Sequence, residues 1–286
     1  MEQMQPLKRI AAIHDISALG KCSLTVALPV VSATGVECAC IPTALLSTHT
    51  GEFSGWTRRD LSGEMLPIAR HWQSVGAAFD GIYTGYLASP EQGALVEQVM
   101  DTIAGESTMV IVDPAMADNG AYYAGFDAAM CAAHRHLCAR ADVITPNITE
   151  AALLAGVPYR EAPHDRDYLE ELLAGLAALG PRIVAVTGVR PRSGGIGYAL
   201  RSGEGECFHI SAARDGMFYG TGDLFASAFS ALLVRGARVE SALEAAAGLT
   251  EESVRRTEAR GTPRRFGVDF EGALPAYVRA VERIFA

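Results

Sequence analysis

The chain contains the stretch Asp215-Gly-Met-Phe-Tyr-Gly-Thr-Gly-Asp-Leu-Phe-Ala-Ser-Ala-Phe229, a glycine turn that leads into a small apolar segment. Gly220 and Gly222 permit close backbone approach, and the alanine-rich residues after them favour a helix. The start of such a helix presents free N–H groups and the positive end of the helix dipole, which together bind anions. The stretch therefore predicts a phosphate-binding turn that opens a helix.

Asp223 is the unexpected residue of this turn. A carboxylate beside a phosphate site repels the ligand unless it has a task of its own. Accepting a proton from an attacking hydroxyl group is such a task. The alternative interpretation is that Asp223 only caps the helix.

Short apolar runs alternate with longer helix-like segments on either side of this turn. Strands are predicted over 9–13, 36–41, 79–83, 109–112, 142–145 and 182–186, with a hairpin inside 197–210. Helices are predicted over 23–34, 90–103 (capped by Ser89), 125–139, 166–179, 222–235, 239–256 and 270–284. This alternation predicts an α/β fold with a mostly parallel sheet covered by helices. No long linker interrupts the pattern, so residues 1–286 are expected to form one domain.

Ligands of open α/β sheets bind beyond the carboxyl ends of the strands. The polar residues expected there are His14, Asp15, Thr84, Tyr86, Asp113, Thr145, Asn147, Thr187 and Gly188.

Carboxylates follow two of the predicted strands. Asp113 and Asp118 could hold Mg²⁺ or a monovalent cation, because hard cations prefer oxygen ligands, or they could simply form a loop with Asn119 and Gly120. Glu150 could organise metal-bound water near a short helix capped by Thr149, or it could serve only in the capping turn.

Residues 42–51 form a mixed polar and apolar segment that ends in glycine. Its His49 could bind a ligand or only satisfy the loop.

Composition narrows the classes of function. The 286 residues carry a formal net charge of -9, which disfavours nucleic acid as a partner. The six cysteines form no C-x-x-C pair and are expected to be free thiols. No uninterrupted apolar run reaches the length of a membrane span, and the first residues lack signal-peptide character. The sequence is therefore interpreted as cytoplasmic, without membrane contact.

Taken in order, these motifs resemble the ribokinase-like superfamily and, within it, the pyridoxal/pyridoxine/pyridoxamine (vitamin B6) kinases. The resemblance extends from Ile13 to about Phe229. The matching segments are His14-Asp15 with Gly20, Leu46-Ser-Thr-His-Thr-Gly51, Thr84-Gly-Tyr86, Asp113-Pro-Ala-Met-Ala-Asp118, Thr145-Pro-Asn with Glu150, Val186-Thr187 and Gly220-Thr-Gly-Asp223.

The resemblance implies a ribokinase-like three-layer α/β/α fold and ATP-dependent phosphorylation of the 5'-hydroxymethyl group of a B6 vitamer. It makes Asp223 the catalytic base and Gly220, Thr221 and Gly222 the anion hole. It assigns the vitamer pocket to Asp15, His49, Thr50, Tyr86 and Asp223. It assigns the ATP site to Asp113, Tyr123, Asn147, Glu150, Thr187, Gly188, Arg214, Asp215, Gly216, Thr221 and Gly222, and cations to Asp113, Asp118, Thr145 and Glu150.

The resemblance further implies Mg²⁺ and, as a further candidate, K⁺, together with a homodimeric state. One departure stands out, because many B6 kinases have a serine where this chain has Asp15. The alternative substrates are hydroxymethylpyrimidine or another small alcohol such as a sugar. A non-catalytic vitamin-binding protein on the same scaffold is the alternative from another class.

Overall fold

The computed structural model describes residues 6–211 and 217–286. The predicted nucleotide-binding residues Arg214, Asp215 and Gly216 lie outside the described residues.

The main sheet has nine strands in the order β11-β10-β9-β8-β5-β4-β1-β2-β3. Neighbouring strands from β9 to β2 in this order run parallel, whereas β10, β11 and β3 join antiparallel at the two edges. The strands are β1 (Arg9–Ser17), β2 (Glu37–Leu46), β3 (Arg58–Asp60), β4 (Gly81–Thr84), β5 (Met109–Val112), β8 (Val143–Ile144), β9 (Ile183–Val189), β10 (Ile196–Ser202) and β11 (Gly205–Ser211). A separate small hairpin pairs β6 (Ala117–Asp118) with β7 (Ala121–Tyr122).

Helices cover both faces of the sheet. They are α1 (Leu24–Ala33), α2 (Ser62–Ser74), α3 (Glu91–Ile103), α4 (Ala128–Ala139), α5 (Ile148–Ala155), α6 (Arg166–Ala177), α7 (Thr221–Arg235), α8 (Val239–Arg260) and α9 (Leu274–Phe285). Successive strand residues point to opposite faces, so Ile111 packs in one apolar core and Val112 in the other. The core on one face takes buried residues from α2 to α6, and the other takes them from α1, α7, α8 and α9. The predicted three-layer α/β/α class is confirmed.

Strands β1, β2 and β9 are longer than predicted, and the extension of the first two matters for the site. β1 continues to Ser17 and β2 to Leu46, because the two strands go on pairing past His14 and Pro42. The register shifts between His14 and Ile16, an irregularity common beside functional sites. Asp15 therefore lies within a strand rather than after one.

Two predicted helix caps are wrong. Pro90 itself occupies the N-cap of α3 without a capping side chain, so Ser89 does not fill that position. Asn147 caps α5 in place of Thr149, because Asn147 precedes the first helical residue and its Oδ1 accepts from the backbone N–H groups of Thr149 and Glu150. Strand β3, helix α2 and the β6–β7 hairpin had no counterpart in the prediction.

Candidate active site

The site is a cavity of about 1080 Å³ at the carboxyl edge of the parallel strands. Its wall includes every described residue that was assigned a role in catalysis or in binding the vitamer, ATP or cations, whereas His14 and Thr84, also expected at this edge, are buried and do not line it. The lining residues with an assigned role are Asp15, His49, Thr50, Tyr86, Asp113, Asp118, Tyr123, Thr145, Asn147, Glu150, Thr187, Gly188, Gly220, Thr221, Gly222 and Asp223. Residues from distant parts of the chain thus meet in one place, as strand topology predicts.

Helix α7 points its first turn at this cavity. Gly220 is its N-cap, with a φ of 78°, and a Cβ there would lie 2.2 Å from the Lys21 carbonyl oxygen. Only glycine accommodates both the left-handed backbone and that contact. The first N–H groups of a helix have no partner within it, so those of Thr221, Gly222 and Asp223 can receive an anion.

Asp223 lies in this first turn and faces the backbone amide of Ser23. Burial, with a contribution from the charge of Asp15, raises the pKa of Asp223 to about 7. A carboxylate with a near-neutral pKa is suited to accept a proton at physiological pH. The helix-capping alternative is not needed, since the N-cap is Gly220 and makes no side-chain cap bond.

Asp113 follows β5 directly, and its carboxyl group is buried. Burial and the nearby charge of Asp223 raise the pKa of Asp113. The Thr145 hydroxyl group lies beside it and opposes this rise in the pKa. A buried hydroxyl oxygen next to a carboxylate is a donor set that a hard cation could use.

Asp118 belongs to the β6–β7 hairpin. Its Asn119 and Gly120 have φ angles of 50° and 79°, as a two-residue hairpin turn requires, and its Oδ1 accepts from the Asn119 N–H at 2.8 Å. Asp118 therefore does form the loop with Asn119 and Gly120 that was the alternative to cation binding. It is exposed and also lines the cavity. The described residues contain no cluster of three or more histidine, cysteine, aspartate or glutamate side chains arranged to hold a metal ion.

Glu150 is only 2% exposed and both its carboxylate oxygens are engaged. Oε2 accepts from the Asn147 N–H at 2.8 Å, and Oε1 accepts from the N–H groups of Met116 and Ala117 at 3.0 and 3.4 Å. Asn147 completes the capping box and donates from Nδ2 to the Ala117 carbonyl at 2.7 Å. Glu150 therefore holds the segment after β5 against α5, which sets the position of Asp113 and Asp118.

His49 is held on both ring nitrogens. Nδ1 accepts from the Gly51 N–H at 3.1 Å, so Nε2 carries the proton and donates to the Arg265 carbonyl at 2.6 Å. The ring stacks on Tyr219, with centroids 4.8 Å apart. The loop role considered for His49 is therefore present, and only the faces and edges of the ring remain for a ligand.

Several lining residues were not predicted. Ser17, Cys22 and Ser23 surround the β1–α1 turn, and Tyr219, Arg190 and Arg255 line other parts of the wall. Ser23 and Lys21 have φ angles of 54° and 47°, which are unusual for residues other than glycine. The signal available in the sequence was Gly20, a glycine between the first predicted strand and the first predicted helix.

Comparisons with known proteins identify the family of the chain. The family model described as phosphomethylpyrimidine kinase matches residues 27–265. A pyridoxal kinase structure from Lactobacillus plantarum is 33% identical, with a TM-score of 0.88 and coverage of 97% of this chain and 99% of that chain. A Bacteroides thetaiotaomicron protein, provisionally named a phosphomethylpyrimidine kinase and crystallised with pyridoxal, is 33% identical, with a TM-score of 0.86 and coverage of 95% and 96%.

A relative compared by sequence is also named as a kinase of B6 vitamers. The pyridoxine/pyridoxal/pyridoxamine kinase of Bordetella bronchiseptica is 28% identical over 88% of this chain and 90% of its own. The chain belongs to the ribokinase-like phosphomethylpyrimidine kinase family, on its pyridoxal kinase branch.

Proposed function

We propose that this protein transfers the γ-phosphoryl group of ATP to the 5'-hydroxymethyl group of a B6 vitamer and so forms the 5'-phosphate. One observation carries the proposal: a carboxylate with a near-neutral pKa, Asp223, lies in the first turn of the helix whose N-terminus faces the cavity. Phosphoryl transfer needs positioning, neutralisation of charge and a proton acceptor, and this turn offers all three functions.

In this proposal Asp223 accepts the proton of the 5'-hydroxyl group as its oxygen attacks the γ-phosphorus. The backbone amides of Thr221, Gly222 and Asp223, in the anion hole that Gly220 opens, stabilise the transferred phosphoryl group. Asp15, Thr50, Tyr86 and the ring of His49 line the vitamer pocket. The ATP site comprises Asp113, Tyr123, Asn147, Glu150, Thr187, Gly188, Thr221 and Gly222, and Arg214, Asp215 and Gly216 extend it outside the described residues.

The acidic side chains of the cavity wall support the proposal that ATP binds together with a divalent cation. The described part of the cavity wall has seven carboxyl groups, at Asp15, Asp113, Asp118, Glu150, Asp223, Glu251 and Glu252, against two arginines, Arg190 and Arg255. ATP alone would meet mostly like charge. Asp113, Asp118, Thr145 and Glu150 are the residues proposed to hold Mg²⁺, directly or through water, and K⁺. Mg²⁺ characteristically uses one or two carboxylates plus substrate phosphates, and it would neutralise charge on the phosphates.

We also propose a cytoplasmic homodimer formed by single-domain subunits. No helix in the described ranges is long and apolar enough to span a membrane.

The substitution Asp223→Asn tests the role of the base. It removes the proton acceptor but keeps the size of the side chain, so kcat should fall about 10²- to 10⁴-fold while ATP still binds. Turnover is measured by vitamer-dependent ADP release, and ATP binding by calorimetry. Asp167→Asn, at an exposed carboxylate of α6, is the matched control and should retain activity. Near-normal turnover in Asp223→Asn would show that another group accepts the proton.

The name of the matching family model favours hydroxymethylpyrimidine as a second candidate substrate. Assays with pyridoxal, pyridoxamine, pyridoxine and hydroxymethylpyrimidine separate the two activities. ATP consumption without dependence on any of these compounds would contradict both.

A further inference from the structure

The vitamer end of the cavity carries a carboxylate with no task in the proposed reaction. Asp223 is the base and Asp113 is assigned to the cations, but Asp15 has neither role. Asp15 and Asp223 share a neighbour, because Ser23 contacts Asp15 with its side chain and Asp223 with its backbone amide, and both carboxyl groups line the cavity. An additional buried carboxylate beside a catalytic one is electrostatically costly unless a ligand compensates for it.

Within the described ranges, the cavity wall offers Asp15 no lysine or arginine partner. Among the described residues, the lysine and arginine side chains that line the cavity are Arg190 and Arg255. Arg190 follows β9, which is four strands away from β1 in the sheet, or roughly 19 Å at about 4.8 Å per strand. Arg255 belongs to α8, and it pairs with Glu252 at 2.6 Å.

The basic groups nearest in sequence or space have other partners. Lys21 Nζ lies 2.7 Å from Glu271 Oε2 and over the ring of Phe270. His49 has both ring nitrogens engaged, by the Gly51 N–H and the Arg265 carbonyl, and it makes the smallest contribution against the raised pKa of Asp15. Within the described ranges, a cationic group of the ligand is therefore the remaining candidate to pair with Asp15.

Asp15 is also held in place for recognition. It lies within β1, is 3% exposed, and accepts a hydrogen bond from Ser17 Oγ at 2.9 Å on Oδ2. Burial raises the pKa of Asp15, and the side chains of Ser23 and Ser17 oppose that shift. A carboxylate fixed by two serines and facing the cavity is a preorganised acceptor for a charged donor.

The B6 vitamers differ from one another in their 4' substituent, which is the group that the Asp15 carboxylate could distinguish. The 4' substituent is attached to the ring carbon next to the one bearing the 5'-hydroxymethyl group. A carboxylate close to Asp223 is therefore within reach of the 4' position when the 5'-hydroxyl group meets the base. Pyridoxamine has an ammonium group at 4', pyridoxine a hydroxyl group, and pyridoxal an uncharged aldehyde.

On the basis of the proposed function, we infer that Asp15 determines vitamer specificity by pairing with the 4'-ammonium group, so that pyridoxamine is preferred to pyridoxal. A hydrogen bond between charged partners strengthens binding by roughly ten- to a hundred-fold. Pyridoxal has an uncharged aldehyde at 4', so it cannot form this ion pair with Asp15.

The test is the ratio of kcat/KM for pyridoxamine to that for pyridoxal, in the wild type, Asp15→Asn and Asp15→Ser. The ratio should exceed one in the wild type and fall at least about tenfold in both variants, with pyridoxine less affected. Asp118→Asn is the matched control, since it removes another lining carboxylate and should lower all three activities without changing the ratio. A common loss on all vitamers in the Asp15 variants, or an unchanged ratio, would overturn the inference.

A binding measurement separates this inference from the proposed function. Calorimetry gives the affinity of each vitamer without turnover, and the Asp15 variants should lose affinity for pyridoxamine specifically. If the wild type phosphorylated no vitamer, the proposed function would fail, and the binding ratio would still decide the role of Asp15. Equal affinities for pyridoxamine in the wild type and Asp15→Asn would refute the pairing.

Discussion

Asp223 and Asp15 show how two carboxylates of one pocket acquire different properties. Asp223 lies at a helix N-terminus and faces the Ser23 amide, yet burial still raises its pKa to about 7. Asp15 is held within a strand by Ser17 Oγ and adds its charge to the environment of Asp223. The chemical state of the base is therefore set partly by a residue that does not touch the transferred group.

This coupling predicts the dependence of the reaction on pH. The base acts in its deprotonated form, so kcat/KM should fall tenfold per pH unit below about pH 7, where Asp223 becomes protonated. In Asp15→Asn the neighbouring negative charge is gone, the pKa of Asp223 is lower, and the acid limb should move to lower pH. Both profiles are measured with the same vitamer, so that ionisation of the substrate cancels. An acid limb that stays in place in Asp15→Asn would contradict the coupling.

At the scale of elements, the first turn of α7 depends on the turn between β1 and α1. Gly220 packs against the Lys21 carbonyl oxygen, and Ser23 presents its amide to Asp223. The two turns form one unit, in which the anion site and the base are positioned by the unusual backbone of the segment after β1.

Gly220→Ala is predicted to disrupt this unit. A methyl group would have to enter within 2.2 Å of a backbone oxygen while the residue keeps a positive φ, which should cost about 1–3 kcal/mol of stability. Gly222→Ala is the control for stability, since its added Cβ meets no atom within 4 Å. Urea unfolding measures both. Equal stability of the two variants would show that the turn can shift to accept a side chain.

At the scale of the whole molecule, the sheet brings carboxylates from β1, the β5 exit, α5 and α7 to one cavity in an acidic protein. The chain has a net charge of -9, and the described residues of the cavity wall likewise include more acidic than basic side chains. We therefore expect nucleotide binding to be linked to cation binding, because the phosphates of ATP add further negative charge.

ATP with Mg²⁺ is predicted to stabilise the folded protein more than ATP with a chelator. At a hundredfold excess over Kd, a ligand that binds only the native state adds about 2.7 kcal/mol, which should raise Tm by several degrees. With excess EDTA the shift should largely disappear. Thermal unfolding followed by fluorescence measures both conditions, with EDTA alone as the control. An equal shift without divalent cation would contradict the linkage.

The sequence by itself was enough to predict the layered α/β fold and the α7 turn. Alternating apolar runs and glycines are local signals that can be recognised in the sequence. Parallel strands have their carboxyl ends at the same edge of the sheet, independently of the side-chain contacts. The residues predicted for the site and described by the structure accordingly line one cavity, from Asp15 to Asp223.

Only the tertiary structure decided what each of these side chains is free to do. Glu150 is bound by amides of Met116 and Ala117, and His49 by the Arg265 carbonyl, partners 34, 33 and 216 residues away. Lys21 follows Asp15 closely in sequence but is paired with Glu271, 250 residues away. Burial and charge balance depend on such distant contacts, so no local pattern could reveal them.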